Sequence, residues 1–459
     1  MRQLLFTLRT AVSSPTRNAR TATVLGRLLG ALFVVCLLTG LYSHFLQEPA
    51  AWMRFPTRPT WLYQVSQGVH ITAGIACIPL LLGKLWAVFP QLFQYPLVRH
   101  PVQLLERASI ALFVASSLLQ LVTGLLNTYQ WYPWPFPFKQ VHFALSFVII
   151  GSLAVHIAVK LPLITRYWRA RDSYDERGVF VEPDGALDPA RAEHTATREL
   201  AALRGRQEAR VASRRRPAPE APAPAPAARA STPAPGLRGL VGRVARWIDT
   251  AREGDGEPAR VRVSRRGFFG AIGVATGGVV ALTAGQSFAV LSPLNAFGPR
   301  QAGLGPNDLP INRTAAAAKV LETAMDPDWQ LTVSNGSRSR AFTAADLEGM
   351  TQGDERLPIS CVEGWSQTAS WRGVRLVDLM ALVGAPADAR LKMTSLEERG
   401  GYRVMLMGPE YATDPATLVA LELNGERLDI EHGYPARIIA PGRPGVLQTK
   451  WLSTIEVVR

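Results

Sequence analysis

Five long apolar runs dominate the first 300 residues of the chain and predict its membrane helices. A bilayer's hydrocarbon core takes about 20 helical residues to cross, and each run is close to or above that length. The runs lie roughly at 28–46, 61–83, 108–128, 141–161 and 267–293. The first four predict an all-α transmembrane four-helix bundle within residues 28–168. The fifth predicts a separate anchor helix within residues 265–295.

Basic residues are distributed unevenly around these runs and predict the orientation of the chain. Residues 1–27 contain five arginines and no acidic residue, and further lysines and arginines follow the fourth run. The loop at 129–140 instead holds one lysine and many aromatic residues, a composition typical of an outer interface. By the positive-inside rule, the basic N-terminus lies in the cytoplasm. Five crossings then place residues 300–459 outside, so we expect a multi-pass membrane protein whose C-terminal domain is extracytoplasmic.

Residues 169–264 differ from both neighbouring regions because they are rich in arginine, alanine and proline. Such a composition buries too little apolar area to fold and predicts an extended, disordered cytoplasmic linker. A short amphipathic helix near 237–250 is compatible with the pattern. Much of the net charge of +14 comes from arginines in this linker and beside the apolar runs. Because membrane orientation and solvation explain those charges, we expect no nucleic-acid partner.

The last 160 residues have the composition of a water-exposed domain. Strand-like apolar pieces occur near 403–407, 437–440 and 455–458, and an amphipathic helix is indicated near 375–383. This mixture predicts an α+β fold for residues 300–459.

Four of the seven histidines lie in or beside the apolar runs, where ionisable groups are costly and usually functional. These are His44, His70, His142 and His156. His142 and His156 are 14 residues apart, so they project from one helix face about 21 Å apart along the axis. His70 lies at a depth comparable to that of His142 on another helix. One imidazole from each of two facing helices is what a bis-histidine haem iron requires, which predicts a b-type haem on His70 and His142.

Lys84 follows His70 by the same 14 residues, so it occupies the position where an inner haem would need its second histidine. The sequence therefore predicts one haem rather than two. His156 has three open interpretations: a ligand of a second haem, a hydrogen-bond partner of a quinone oxygen, or a partner of Lys84 through a haem propionate. His44 fits either an interfacial residue or a ligand, and a purely structural role for all four histidines also stays open. Helix count and histidine spacing resemble those of four-helix membrane cytochromes b that exchange electrons with quinones, which implies a membrane quinone or quinol as partner.

Cys361 is the one cysteine outside the apolar runs, since Cys36 and Cys77 lie within them. This distribution argues against a disulfide framework. The neighbouring residues predict that Cys361 lies between a short apolar strand and a helix. On local sequence alone, it is compatible with a buried structural residue or with a catalytic thiol.

The segment Cys361-Val-Glu-Gly-Trp365-Ser, followed by Trp371-Arg-Gly, resembles the molybdenum-ligand segment of the sulfite-oxidase family. The resemblance is greatest to the branch that contains the bacterial periplasmic methionine-sulfoxide reductases. Downstream motifs agree with the same family in order and spacing; they are Leu421-Glu-Leu-Asn-Gly-Glu-Arg-Leu, His432-Gly-Tyr-Pro-Ala-Arg437, and Pro441-Gly with Lys450-Trp-Leu. The resemblance extends over residues 306–459.

The resemblance implies a molybdopterin cofactor and assigns candidate residues to it. Cys361 would ligate molybdenum and take part in catalysis, because a thiolate is a soft donor suited to a high-valent metal. Trp365 would lie in the cofactor pocket, and His432 would hydrogen-bond the pterin. Arg437 and Lys450 would hold the pterin phosphate, and a solvated salt-bridge role is their alternative.

Two departures from sulfite oxidases bear on the substrate. We expect no dimerisation domain, since the chain ends at Arg459, and Glu363-Gly-Trp stands where a cationic substrate pocket would be expected. The favoured function is therefore a quinol-linked reductase of a small S-oxide or N-oxide. The alternative is the reverse direction, in which an outer, sulfite-like substrate is oxidised and quinone is reduced. A cofactor-free binding module on a membrane anchor is the third interpretation.

The fifth apolar run begins with a segment that bears on export. Ser264-Arg-Arg-Gly-Phe-Phe resembles a twin-arginine signal placed inside the chain, although paired arginines also mark the inner end of many helices. A molybdenum cofactor is inserted in the cytoplasm, so a domain that carries it has to fold before export. The twin-arginine translocation machinery, which carries folded proteins, is therefore an expected partner.

Overall fold

The structure is a computed structural model that describes residues 19–89, 101–169 and 265–458. The expected linker, with its helix near 237–250, lies almost wholly outside the described residues. The basic N-terminus up to residue 18 also lies outside them.

Five helices account for the five apolar runs. They are α1 Ala19–Gln47, α2 Leu62–Val88, α3 Pro101–Thr128, α4 Phe138–Arg169 and α5 Arg265–Thr283. All five are long and apolar enough to cross a membrane, which confirms the predicted number of apolar helices. The first four helices extend beyond one or both ends of their apolar runs.

The fifth helix ends at Thr283, about ten residues before the end of its apolar run. Short 3₁₀ turns at Ala284–Gln286 and Ala289–Leu294 follow it. A Cβ atom on Gly285 would lie 2.4 Å from the Leu291 carbonyl oxygen, so only glycine lets the chain fold back here. The apolar run therefore ends as a compact turn rather than as more helix.

The bundle packs α1, α2 and α5 against one another through small and aliphatic residues. Leu25 and Leu29 of α1 meet Cys77 and Leu81 of α2 in a buried cluster. A Cβ atom on Gly83 would lie 2.4 Å from the Ile272 side chain, so this glycine sets the close approach of α2 and α5.

Two five-stranded sheets and short helices build the C-terminal domain. The strands are β1 Gln330–Asn335, β2 Arg338–Thr343, β3 Gln352–Ser360, β4 Ser366–Arg375, β5 Arg390–Ser395, β6 Val404–Met407, β7 Leu418–Leu423, β8 Glu426–Arg427, β9 Arg437–Ile439 and β10 Leu452–Val458. The helices are α6 Ala315–Ala318, α7 Leu321–Ala324, α8 Ala344–Gly349, α9 Leu376–Leu382 and α10 Pro409–Ala412. One sheet has the order β2-β1-β10-β5-β6, and the other has the order β3-β4-β7-β8 with β9 paired to β7. Only the β1–β10 pair is parallel among these.

The two sheets share one apolar core. Leu331, Leu391 and Ile455 of the first sheet lie in the same buried cluster as Val419 and Ile438 of the second. This arrangement confirms the predicted α+β class, and the predicted helix near 375–383 is α9. The strand-like pieces near 403–407, 437–440 and 455–458 are β6, β9 and the end of β10.

The expected position of Cys361 between a strand and a helix is wrong. Cys361 begins a tight turn between β3 and β4, closed by bonds from the Cys361 N–H to the Trp365 carbonyl (2.9 Å) and from the Gly364 N–H to the Cys361 carbonyl (3.0 Å). Gly364 has a φ of +101°, which favours glycine and reverses the chain. Residues after the turn alternate between buried and exposed with the period of two that is typical of a strand.

The Cys361 turn, residues 361–364, packs directly on the membrane bundle. The Gln67 side chain of α2 donates a hydrogen bond to the Val362 carbonyl (3.0 Å), and the Ser287 hydroxyl donates to the Gly364 carbonyl. A Cβ atom on Gly364 would lie 2.7 Å from the Ile71 side chain, so the turn and α2 touch at van der Waals distance. The C-terminal domain is therefore held against one end of the bundle, called here the domain-facing end.

The shared core predicts a clear difference between two neighbouring leucines. Leu391→Ala, at a fully buried position, should lower the free energy of unfolding of the domain by about 2–5 kcal/mol because it leaves a cavity. Leu406→Ala is the matched control, because Leu406 lies on the adjacent strand and is 56% exposed. Scanning calorimetry of the two purified variants measures the effect, and equal melting temperatures would contradict the assigned core.

Candidate active site

A cavity of about 1040 Å³ lies between the helix bundle and the C-terminal domain. His44, His70 and His142 line it on the bundle side, and Glu363 and Lys450 line it on the domain side. Pockets for small ligands are typically about 300–1,000 Å³, so this central cavity has room for more than one such group. The structure thus brings together residues that the sequence assigned to two separate sites.

His70 and His142 face each other across the bundle, with ring centres 6.2 Å apart. An imidazole nitrogen typically lies about 2 Å from a transition metal, so two axial rings on one iron are centred roughly 6 Å apart. The observed spacing therefore fits a pair of imidazoles that share one metal.

Each of these rings is held from behind by the neighbouring helix. The Nδ1 atom of His70 lies 3.0 Å from the Cys36 carbonyl oxygen and 3.1 Å from the Thr39 hydroxyl. The Nδ1 atom of His142 lies 3.4 Å from the Thr123 hydroxyl. These contacts occupy Nδ1 in both rings and leave Nε2 as the nitrogen available to a metal.

A glycine follows each of the two threonines and allows the ring to approach. A Cβ atom on Gly40 would lie 3.1 Å from Cε1 of His70, and one on Gly124 would lie 3.2 Å from Cε1 of His142. The spacing of the histidines alone does not identify these residues. The signal was a Thr-Gly doublet repeated in the first and third apolar runs.

The opposite level of the bundle, around Lys84 and His156, is filled by aromatic rings. Phe113 stacks on His156 with centroids 5.8 Å apart and meets Phe33 edge to face at 5.9 Å. The Lys84 amine packs beside Gly26, where a Cβ atom would lie 2.9 Å from Nζ. Neither Lys84 nor His156 lines the central cavity. His44 does line it, and stacks on Phe143 with ring centroids 3.7 Å apart.

Cys361 lies just behind the cavity wall and is 1% exposed. Burial raises the pKa of its thiol well above the usual value, and the neighbouring Glu363 adds to that effect. A thiol in this environment stays protonated without a metal, which argues against the low-pKa catalytic thiol left open by the sequence.

Glu363 forms the link between the Cys361 turn and the bundle. Gln130, in the loop between α3 and α4, donates a hydrogen bond to the Glu363 carboxyl and another to the Asn312 carbonyl (2.8 Å). Arg300 donates to the Gln130 amide oxygen (2.7 Å) and approaches Glu363 to 3.9 Å. Burial nevertheless raises the pKa of Glu363 above its usual value. Gln130 gave no signal in the sequence, since only the tertiary contact identifies it.

Buried Arg437, half-buried Lys450 and a buried histidine lie beyond the turn. Arg437 is 1% exposed, donates to the His432 carbonyl (3.0 Å) and stacks over Trp371. Lys450 donates to the carbonyls of Glu431 (2.7 Å) and Arg313 (3.0 Å). Burial lowers the pKa of Arg437 to about 9 and that of Lys450 to about 7. The pair thus has backbone carbonyls, not carboxylates, as its hydrogen-bond partners.

Residues 317–459 match the family model described as "Oxidoreductase molybdopterin binding domain". The C-terminal domain is a molybdopterin-binding oxidoreductase domain. The chain is 34% identical over 113 residues to the sulfite oxidase of Arabidopsis thaliana, which covers 21% of this chain and 29% of that protein. It is 29% identical over 121 residues to the "Putative protein-methionine-sulfoxide reductase subunit YedZ1" of Azospira oryzae, and this match covers 26% of this chain and 45% of that protein. The human mitochondrial sulfite oxidase is 32% identical over 115 residues, and this match covers 24% of this chain and 21% of that protein. The chain therefore spans less than half the length of these curated relatives.

The residues of the molybdopterin domain fit a polar, anionic cofactor. Buried polar atoms without a hydrogen-bond partner cluster in this region of the domain; they include Trp365 Nε1, Arg437 Nε, Gln448 Oε1 and Thr449 Oγ1. Buried groups of this kind are costly unless a ligand satisfies them. Lys450, Gln448 and Thr449 also line the central cavity, so a group bound there reaches them from the open side.

His432 is buried in the molybdopterin domain, and its ring is already hydrogen-bonded to the protein backbone. It is 1% exposed, and its Nε2 lies 3.0 Å from the Leu309 carbonyl oxygen, to which it donates. Burial and the nearby cations lower the pKa of His432 to about 3, so the ring is neutral. One ring nitrogen is therefore already bonded to the protein backbone.

Lys450 gives this site a measurable pH dependence in the cofactor-free protein. Its pKa is about 7 when folded and about 10.4 when unfolded, so between those values the unfolded chain binds more protons. Stability should therefore rise as the pH increases from about 7 to about 10, relative to Lys450→Met. Chemical denaturation at a series of pH values measures this difference. Lys319→Met, at an exposed lysine, is the control, and parallel profiles for wild type and Lys450→Met would contradict a buried, deprotonating lysine.

Proposed function

We propose that this protein is a membrane-bound molybdenum oxidoreductase that exchanges electrons between the quinone pool and the molybdopterin domain through a b-type haem. The observation that carries the proposal is the central cavity, which runs without interruption from the His70–His142 pair to Glu363 and Lys450. A protein that only bound a ligand outside the membrane would gain nothing from a histidine pair at metal-sharing distance in the same cavity.

The residues are assigned by chemistry and position. His70 and His142 hold the haem iron, with Thr39 and Thr123 fixing their rings. Cys361 ligates molybdenum, with Trp365 and His432 at the pterin and Arg437 and Lys450 at its phosphate. When bound, the haem supplies one-electron transfer and the molybdenum centre supplies oxygen-atom transfer. The chain's own part is to exclude water, to hold the cations in place, and to fix the Glu363 carboxyl beside the turn.

The direction we favour is reduction of a small S-oxide or N-oxide by electrons from quinol. Such a reduction consumes protons, and Glu363, whose pKa is raised by burial, is a titratable carboxyl beside the Cys361 turn. Glu363 also stands where the resemblance to sulfite oxidases would lead us to expect a cationic substrate pocket, which makes sulfite the less favoured substrate. The opposite direction is the second candidate, because two of the relatives are named as sulfite oxidases.

The proposed location is the bacterial cytoplasmic membrane, with the N-terminus inside and the molybdopterin domain outside. An odd number of crossings puts the two ends of the chain on opposite sides, and the described residues contain five helices of sufficient length. The arginines at 265 and 266 begin the last of these helices, as a twin-arginine signal would require.

The direction of electron flow is tested with the purified holoprotein and its haem absorbance. A quinol should lower the Soret absorbance of oxidised haem and raise that of reduced haem. An added S-oxide or N-oxide should then reoxidise the haem. Reduction of the haem by sulfite, followed by reoxidation by quinone, would instead establish the reverse direction. A protein that contains neither molybdenum nor iron by metal analysis would refute both.

Cys361→Ser should abolish substrate turnover and leave the haem spectrum unchanged. A serine hydroxyl is a much poorer ligand than a thiolate for a metal with sulfur ligands such as the molybdenum proposed here. The substitution is nearly isosteric in the buried turn. Turnover and haem absorbance of the same preparation measure the two effects separately. Wild-type turnover in this variant would exclude Cys361 as the metal ligand.

One haem per chain is expected, and it should depend on both facing histidines. His70→Ala or His142→Ala should lose it, because a five-coordinate iron gives up one bond and the link between two helices. His156→Ala should retain it, since His156 packs on Phe113 away from the central cavity. A pyridine haemochrome assay measures the content. Two haems per chain, or loss of haem in the His156 variant alone, would contradict the assignment.

A further inference from the structure

A second, smaller cavity of about 200 Å³ lies on the side of the bundle, between α2, α3 and the end of α5. This lateral cavity is lined mainly by apolar side chains, and none of its lining residues carries a charge. Tyr129 and Phe297 lie at its rim and are 45% and 61% exposed. A ligand would therefore enter from the surroundings of the helices rather than through the central cavity.

One polar side chain in the lateral cavity has no hydrogen-bond partner. Gln286 is 3% exposed, and neither its amide nitrogen nor its amide oxygen is bonded within the described residues. The hydroxyls of Thr128 and Thr283 already donate to carbonyls of their own helices. The Tyr129 hydroxyl donates to the Phe297 carbonyl. Gln286 is thus the lining side chain that needs a ligand carrying both acceptor and donor oxygens.

The lateral cavity shares a wall with the central cavity. Ile75, Ile78, Leu125 and Thr128 line both. The wall is therefore a single layer of side chains, and His70 lies on α2 only five residues before Ile75. Gln286 also directly precedes Ser287, whose hydroxyl bonds the Cys361 turn at Gly364.

We propose that the lateral cavity binds the head group of a membrane quinol, with Gln286 bonding one of its ring oxygens. The inference rests on the proposed function and locates its quinone site. An engineered cavity of about 150 Å³ holds a benzene ring, so 200 Å³ accommodates one substituted ring whose apolar tail leaves past the rim. A phospholipid head group would need a cation that the lining lacks, and an acyl chain would leave the Gln286 amide unbonded.

The site satisfies the chemistry of both redox forms. A quinol hydroxyl donates to the Gln286 amide oxygen, and a quinone carbonyl accepts from the amide nitrogen. Oxidation of the quinol would break its two O–H bonds and release two protons to solvent at the domain-facing end of the bundle. A haem held by His70 and His142 would accept the two electrons one at a time, and would pass the first to the molybdopterin domain before it takes the second.

Two substitutions separate the head-group contact from the space it occupies. Gln286→Leu removes both hydrogen-bonding atoms, and Val279→Trp fills the lateral cavity from α5. Val274→Trp is the matched control, because Val274 lies on the same helix, is 76% exposed and does not line the cavity. All variants are prepared as full-length holoprotein in detergent, and dithionite reduction of the haem checks that the haem site is intact.

The first readout is the rate of haem reduction by decylubiquinol and by menadiol. Gln286→Leu should raise the KM for quinol about tenfold, and Val279→Trp should abolish quinol reduction without changing reduction by dithionite. The second readout does not depend on turnover: a fluorescent alkyl-hydroxyquinoline, which mimics a quinol and carries no N-oxide group, should bind wild type and Val274→Trp equally and the other two variants weakly.

Each contrary result has a distinct meaning. Wild-type KM and analogue affinity in both Gln286→Leu and Val279→Trp would overturn the lateral cavity as the site while leaving the quinone link intact. A phospholipid that co-purifies with the protein and is not displaced by the analogue would overturn it as well. If no quinol reduced the wild-type haem and no analogue bound, the proposed function itself would fail, and this site with it.

Discussion

The contact between the Cys361 turn and helix α2 is the constraint on which the rest of the site depends. Gly364 lies against Ile71, and Gln67 bonds the backbone of the turn at Val362. His70 is the residue next to Ile71, so the same turn of helix that carries the membrane histidine also supports the molybdopterin domain. A side chain at residue 364 would push the two apart. Because Gly364 has no Cβ atom, the turn lies close against α2. The two candidate redox centres therefore lie at opposite ends of one cavity.

Burial without charge compensation is the second shared property of the site. Arg437 and Lys450 are held by backbone carbonyls, and Cys361 keeps its proton. The two cations are costly in the empty protein and become favourable when an anion binds, and the Cys361 thiolate becomes favourable when a metal binds. The fold is thus less stable without its cofactors, because only they complete the environment of these groups.

Periodicity and spacing were enough to predict the large features of the chain. Apolar runs predicted the five helices, and the 14-residue interval on α4 predicted that His142 and His156 lie at different levels of the bundle. The Cys361 hairpin was not predictable in the same way, because a short apolar strand followed by polar residues is compatible with either a helix or a second strand. Gln130 and Gln286 were missed for a different reason. Each is an ordinary polar residue at a helix end, and only neighbours distant in sequence give it a role.

The packing around Phe33, Phe113 and His156 has a consequence for the energy balance of the membrane. With aromatic rings at that level, the proposed electron path stays within the domain-facing half of the bundle, and the lateral cavity opens at the same end. Protons released from quinol and protons consumed at the molybdenum centre would then enter and leave the same aqueous compartment. No charge would cross the low-dielectric interior, where each elementary charge moved against 100 mV costs about 2.3 kcal/mol. In this arrangement turnover would neither generate nor consume the transmembrane potential. The rate at which the protein oxidises quinol would therefore not depend on that potential.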